Sequence, residues 1–124
     1  MNWSNNSLSY KVLWIFAPVL ILTGVAGFLT PASWSLMSGA TPYNIFHLIF
    51  GAVGVATVLS KREDLITVFN VGFGGLDLYQ AIASSLHWFP ESYFHWTRWD
   101  DVLHVLLGVA LIMAGALGRG KKAE

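Results

Sequence analysis

A chain of 124 residues is the size of one domain, but 55% hydrophobic residues against 11% charged ones depart from a soluble globular composition toward that of a membrane protein. Seven basic residues balance seven acidic ones, which argues against a nucleic-acid-binding surface built on bulk positive charge. The absence of cysteine excludes disulfides, thiolate metal sites and covalent haem attachment.

Four runs almost free of charge, 12–29, 43–60, 65–86 and 102–118, account for the bias. Each is close to the roughly 20 residues that a helix needs to cross a hydrocarbon core of roughly 30 Å. They predict an all-α membrane protein: a single domain over 1–124, an antiparallel four-helix transmembrane bundle built from two similar helical hairpins.

The polar lead-in before the first run carries Lys11, which imitates the start of a signal peptide. The run is longer than an ordinary signal core, and Thr30-Pro31-Ala32-Ser33 is a poor cleavage site, so a helix of the mature protein is expected. Within it, Pro18 is tolerable in a membrane helix, and Gly24-x-x-Gly27 suits close approach of a neighbouring helix.

Before the second run, Thr41-Pro42 reads as an N-cap followed by proline at the first helical position. Lys61-Arg62-Glu63-Asp64 is then a tight turn into the third run. The next connection, His87 to Asp101, concentrates Trp88, Phe89, Tyr93, Phe94, Trp96 and Trp99, which favours a lipid-interface lid over a ligand-stacking platform. Thr97 with Asp100 resembles a capping box leading into the fourth run.

Lys11, Lys61, Arg62, Arg119, Lys121 and Lys122 fall on one side of the predicted bundle and Arg98 alone on the other. This asymmetry predicts a multi-pass protein of the cell membrane with both termini cytoplasmic.

The second and fourth runs repeat each other: Asn44-Ile-Phe-His47-Leu-Ile-Phe-Gly51 and Asp101-Val-Leu-His104-Val-Leu-Leu-Gly108 share an Asn/Asp-x-x-His-x-x-x-Gly pattern at a constant offset of 57. Residues three apart share a helix face, so Asn44 can reach His47 and Asp101 can reach His104, orienting each imidazole as outer-shell partners do in metal and haem sites. Gly51 and Gly108 leave a groove that admits either a flat ligand or a neighbouring helix. In the third run, Asn70, Asp77, Gln80 and Ser84 line one side, and Asp77 is the only ionisable residue well inside a hydrophobic run. Its expected partner is His47 or His104, or Gln80 if the acid is protonated.

Three readings of this cluster compete. The commonest for such residues is a structural polar network of Asn44, Asp101, Asp77 and Gln80 with the two histidines, pinning the helices together. The second is a haem b or quinone site, with His47 and His104 as ligands and Gly51 and Gly108 relieving crowding. The third is a metal or proton site formed by His47, His104 and Asp77. Hydrolase, phosphate-loop and HExxH signatures are absent, so no catalytic residue is assigned.

Thr23-Gly24-Val25-Ala26-Gly27-Phe28, together with the two histidine motifs, resembles a bacterial family of small four-helix integral membrane proteins known as domain of unknown function, number 4383. The resemblance implies a four-helix membrane protein with no established activity. Asp77 and Gln80 stand where that family tends to have apolar and aromatic residues. The expected function is therefore a non-enzymatic structural or accessory subunit in the lipid bilayer, associating with itself or with another membrane protein, and with no nucleic-acid partner.

Overall fold

The computed structural model describes residues 6–31 and 34–118. The expected basic tail of Arg119, Lys121 and Lys122, the first five residues of the lead-in, and Ala32-Ser33 lie outside the described residues. The chain forms four long helices, α1 (Leu8–Leu29), α2 (Thr41–Leu59), α3 (Glu63–Leu86) and α5 (Arg98–Leu117), with a short helix, α4 (Glu91–Phe94), between the last two. Each long helix has the length and apolar character needed to cross a membrane.

The helices end within one residue of the apolar runs but begin two to four residues earlier. Hydropathy detects only the apolar stretch, whereas each helix starts in polar residues. Ser7 caps α1 by accepting the Tyr10 N–H, Glu63 and Asp64 occupy the first turn of α3, and Thr97 and Asp100 close the expected capping box on α5. At α2 the cap position is Ala40 and Thr41 is already helical, so the expected threonine cap is not formed; Pro42 keeps its place in the first turn, where no N–H is missed. Helix α1 runs through Pro18 without interruption.

Helix α1 packs chiefly on α2, and α3 chiefly on α5. Glycine permits both contacts. A Cβ at Gly24 would lie 2.8 Å from the Asn44 carbonyl oxygen, and one at Gly51 would lie 2.9 Å from the Ile21 backbone nitrogen. In the second pair, a Cβ at Gly74 would meet the Gly108 carbonyl oxygen at 2.8 Å, and a Cβ at Gly108 would meet that of Gly74 at the same distance. Small residues thus bring backbones together, the usual means of helix association where the surroundings are as apolar as the side chains.

The two pairs join around Phe16, Leu20, Phe73 and Leu111, with a second cluster of Tyr10, Leu13, Ala17, Val58 and Ile66. Polar groups fasten one end: Ser9 donates its N–H to the Gly118 carbonyl at 2.9 Å, and the Asn70 amide donates to the Ser9 carbonyl and hydroxyl at 3.0 and 2.8 Å. Outward-facing side chains such as Ile15, Leu22, Ile49, Val68 and Leu106 are apolar and exposed, while Asn44, Asn70 and Asp100 are buried.

Candidate functional site

The 57-residue offset extends well beyond the histidine motifs. The ends of α1 and α3 differ by 86−29 = 57 and the starts of α2 and α5 by 98−41 = 57, so the connections between them have equal length. Residues at equivalent positions also meet, as they do across a two-fold axis. Phe16 and Phe73 are in ring contact at 5.5 Å, Tyr43 donates its hydroxyl to Asp100 at 2.7 Å, and His47 faces His104 with ring centroids 6.4 Å apart.

Asp100 is the hub of the end that carries the two long connections. Fully buried, it accepts the Tyr43 hydroxyl on one oxygen and, on the other, the N–H groups of Ser38 and Thr97 at 2.8 and 2.9 Å and the Thr97 hydroxyl at 3.1 Å. Its role as one half of a cap was legible in the sequence, but its role in joining both connections was not. The available signal was the offset itself, since 100−43 = 57 pairs it with Tyr43.

Below this hub the two imidazoles are held by different partners from those the sequence suggested. His47 Nδ1 lies 2.8 Å from the Tyr43 carbonyl oxygen, and Asn44 instead donates to the Gly39 carbonyl at 3.1 Å. His104 Nδ1 lies 2.8 Å from Gln80 Oε1, and the Gln80 amide nitrogen donates to Asp101 at 2.6 Å. Asp101 also accepts the Ser84 hydroxyl at 3.0 Å, so it reaches His104 only through Gln80. The reason is rotational: the inward face of α5 turns Asp101 toward α3, where two donors are waiting.

These bonds fix the imidazole tautomers. A carbonyl oxygen can only accept, so His47 carries its proton on Nδ1. The Asp101 carboxylate likewise accepts from the Gln80 amide nitrogen, which turns Gln80 Oε1 toward His104 and makes Nδ1 the donor there too. Both Nε2 atoms therefore offer lone pairs.

Asp77 is buried at 5% exposure, and its Oδ2 has no hydrogen-bond partner. The expected pairing with His47, His104 or Gln80 is not made: both Nδ1 atoms and one N–H of the Gln80 amide are engaged elsewhere, and no hydrogen bond joins Asp77 to the groups that remain. Nor do the two histidines and Asp77 assemble as a metal-holding group; no such cluster of three exists among the described residues. Gly51 and Gly108 lie against Ile21 and Gly74 of the adjoining helices, so their grooves are filled by protein.

Asp77 lines a cavity of about 120 Å³, walled by Phe46, His47, Phe73, Gln80, Phe94 and His104 and reaching the exposed side chains of Leu76 and Tyr79. The aromatic connection therefore divides its labour. Phe94 and Trp96 turn inward onto the cavity, whereas Trp88, Phe89, Tyr93 and Trp99 are exposed.

The repeat shows what is special here. The equivalents of Asp77 and Gln80 in the first helix pair are Leu20 and Thr23, since 77−20 and 80−23 both equal 57. Leu20 is an ordinary core residue. The same position in the same packing is thus satisfied by leucine on one side and left as an unpaired carboxyl on the other.

No family model matches the chain, and no curated protein or solved structure matches it either.

Proposed function

We propose that this chain is a non-enzymatic integral membrane protein, an antiparallel bundle of two helical hairpins, that binds a small ligand in the cavity between His47, Asp77 and His104. The carrying observation is Asp77: a buried carboxyl without a partner, at the wall of a cavity, where the repeat places a core leucine. An ionisable group inside a membrane helix is costly and generally marks function. The antiparallel arrangement is supported by contacts that run in opposite directions: Gly24, Ile21 and Ala17 of α1 meet Asn44, Gly51 and Gly54 of α2 in turn. The apolar exterior and the four long apolar helices support membrane insertion. The asymmetry of basic residues supports cytoplasmic termini in a cell membrane, with the cavity in the outer half. An accessory role beside a partner chain, and kinship with the small four-helix bacterial family, belong to the same proposal; the kinship rests on the two histidine motifs.

The test is co-purification. Protein extracted in mild detergent, denatured and analysed by mass spectrometry should release a small molecule that D77L protein, prepared in parallel, lacks. Identical small-molecule content in the two preparations contradicts the proposal.

A second reading has its own support. Two imidazoles bound on opposite sides of one metal ion, as axial ligands are, at ~2.0–2.1 Å each have ring centroids roughly 6.4 Å apart, which matches the 6.4 Å between His47 and His104. A haem b between them requires more room, since a cavity of about 120 Å³ is well below the ~300–1,000 Å³ of pockets for larger ligands. A Soret band lost in H47A and H104A protein supports haem, and a colourless preparation after growth with haem precursor excludes it.

A further inference from the structure

The polar inventory of the cavity specifies what kind of group it can receive. Resting on the reading of this cavity as a ligand site, we infer that its ligand is a small primary amine, bound as the ammonium ion between Asp77 and the Nε2 atoms of His47 and His104, with a short apolar body against the aromatic walls.

The polar atoms that Asp77, His47 and His104 leave without a hydrogen bond are acceptors. Both Nδ1 atoms are committed as donors to carbonyl oxygens, which leaves the two Nε2 lone pairs. Gln80 uses its oxygen on His104 and its nitrogen on Asp101, and the Tyr79 hydroxyl donates to the Phe89 carbonyl at 2.6 Å. Asp77 adds a buried carboxyl oxygen, Oδ2, that no protein donor meets. Among the lining side chains, the indole N–H of Trp96 and the second N–H of the Gln80 amide are the donors left without a hydrogen bond. A quinone's carbonyl oxygens would find acceptors at Asp77 and the two histidines, whereas an ammonium carries three donors to offer those three groups.

Charge and shape agree. At this end of the bundle Asp77, Glu91, Asp100 and Asp101 face a single basic residue, Arg98, and no Lys or Arg lines the cavity. Such a surplus of one sign concentrates counter-ions in a cleft with low-dielectric walls. Phe46, Phe73, Phe94 and Trp96 add ring faces, which attract cations and also accommodate an alkyl chain. Leu76 and Tyr79, 44% and 41% exposed, mark a mouth on the outer surface of α3, through which an apolar body can enter from the side.

Isothermal titration calorimetry of the protein in lipid nanodiscs, with empty nanodiscs as the blank, tests this with butylammonium, butanol and butyrate. Butylammonium should bind saturably, with butanol and butyrate weaker by about tenfold or more, as expected when a charge-assisted hydrogen bond is lost. D77N and D77L should reduce butylammonium affinity by about the same factor. D77L copies the leucine of the first helix pair, so it is expected to fold, and circular dichroism verifies that it has. Equal binding of butylammonium and butanol, undiminished by D77L, overturns the amine inference while leaving a ligand cavity. Binding of butyrate in preference to butylammonium overturns it as well. Binding of none of the three overturns both the inference and the reading on which it rests.

Discussion

Tyr43 and Asp100 occupy the same position in the two 57-residue repeats and are hydrogen-bonded to each other, hydroxyl to carboxyl oxygen, at 2.7 Å. One position has diverged into a donor and an acceptor that meet between the helix pairs, and the acceptor then gathers Ser38 and Thr97 from the two connections. The cavity lies directly beneath, so the stability of this hub and the shape of the site are linked.

Removing the hub should therefore unfold the end of the bundle before the rest. D100A strands the Tyr43 hydroxyl and two backbone N–H groups, and should cost about 3 kcal/mol or more in detergent unfolding titrations, with Y43F costing roughly 1–2 kcal/mol. The Y43F and D100A effects should be non-additive, since they delete one shared bond. Equal stability of D100A and the wild type would count against the hub.

Gly74 and Gly108 approach each other so closely that either Cβ would press on the other's carbonyl oxygen at 2.8 Å. Backbone cannot yield as a side-chain tip can, so G74A and G108A should each destabilise by roughly 1–3 kcal/mol. Gly72 and Gly75 on the same helix have nothing within 4 Å of an added Cβ, and alanine there should be neutral or stabilising by up to ~1 kcal/mol. Thermal unfolding of the four variants side by side checks the contrast.

The tautomers have a direct spectroscopic consequence. Nitrogen-15 NMR of imidazole-labelled protein should show His47 and His104 in the Nδ1–H form at neutral pH. Q80L removes the acceptor from His104 and should shift or mix its tautomers while leaving His47 unchanged, because His47 is held by a backbone carbonyl. An Nε2–H form at either histidine in the unmodified protein would contradict the donor and acceptor assignment.

Because the chain has no cysteine, its orientation can be read with single introduced thiols. A membrane-impermeant maleimide should label S92C in α4 on intact cells and S60C, beside Lys61 and Arg62, only after permeabilisation. The reverse pattern inverts the topology and moves the cavity to the inner half.

Much of this architecture was legible in the sequence, because apolar run length and a constant offset are both one-dimensional signals. The long helices end within one residue of the apolar runs, and two matching motifs mark His47 and His104 as equivalent positions, although that α2 and α5 bring them face to face is visible only in the structure. Hydrogen-bond partners were less legible. Asn44 and Asp101 share a helix face with their histidines, yet Asn44 turns back to the Gly39 carbonyl and Asp101 turns across to Gln80 and Ser84, since partner choice depends on how each helix is rotated against its neighbour. Helix α4 was missed because four residues are too few to show a periodicity, and with it the inward turn of Phe94 and Trp96. The departure of Asp77 from Leu20 could have been found by extending the offset from the histidine motifs back through the first and third runs.

The central claim is that Asp77 serves a ligand and not the fold, and the unfolding free energy of D77L in the same detergent as the wild type tests it most directly. Leucine removes an unpartnered buried carboxyl and restores the residue found at the equivalent core position, so D77L should be more stable by roughly 1–3 kcal/mol. A D77L protein less stable than the wild type by that amount would show that the carboxyl holds the bundle together, and would contradict the claim.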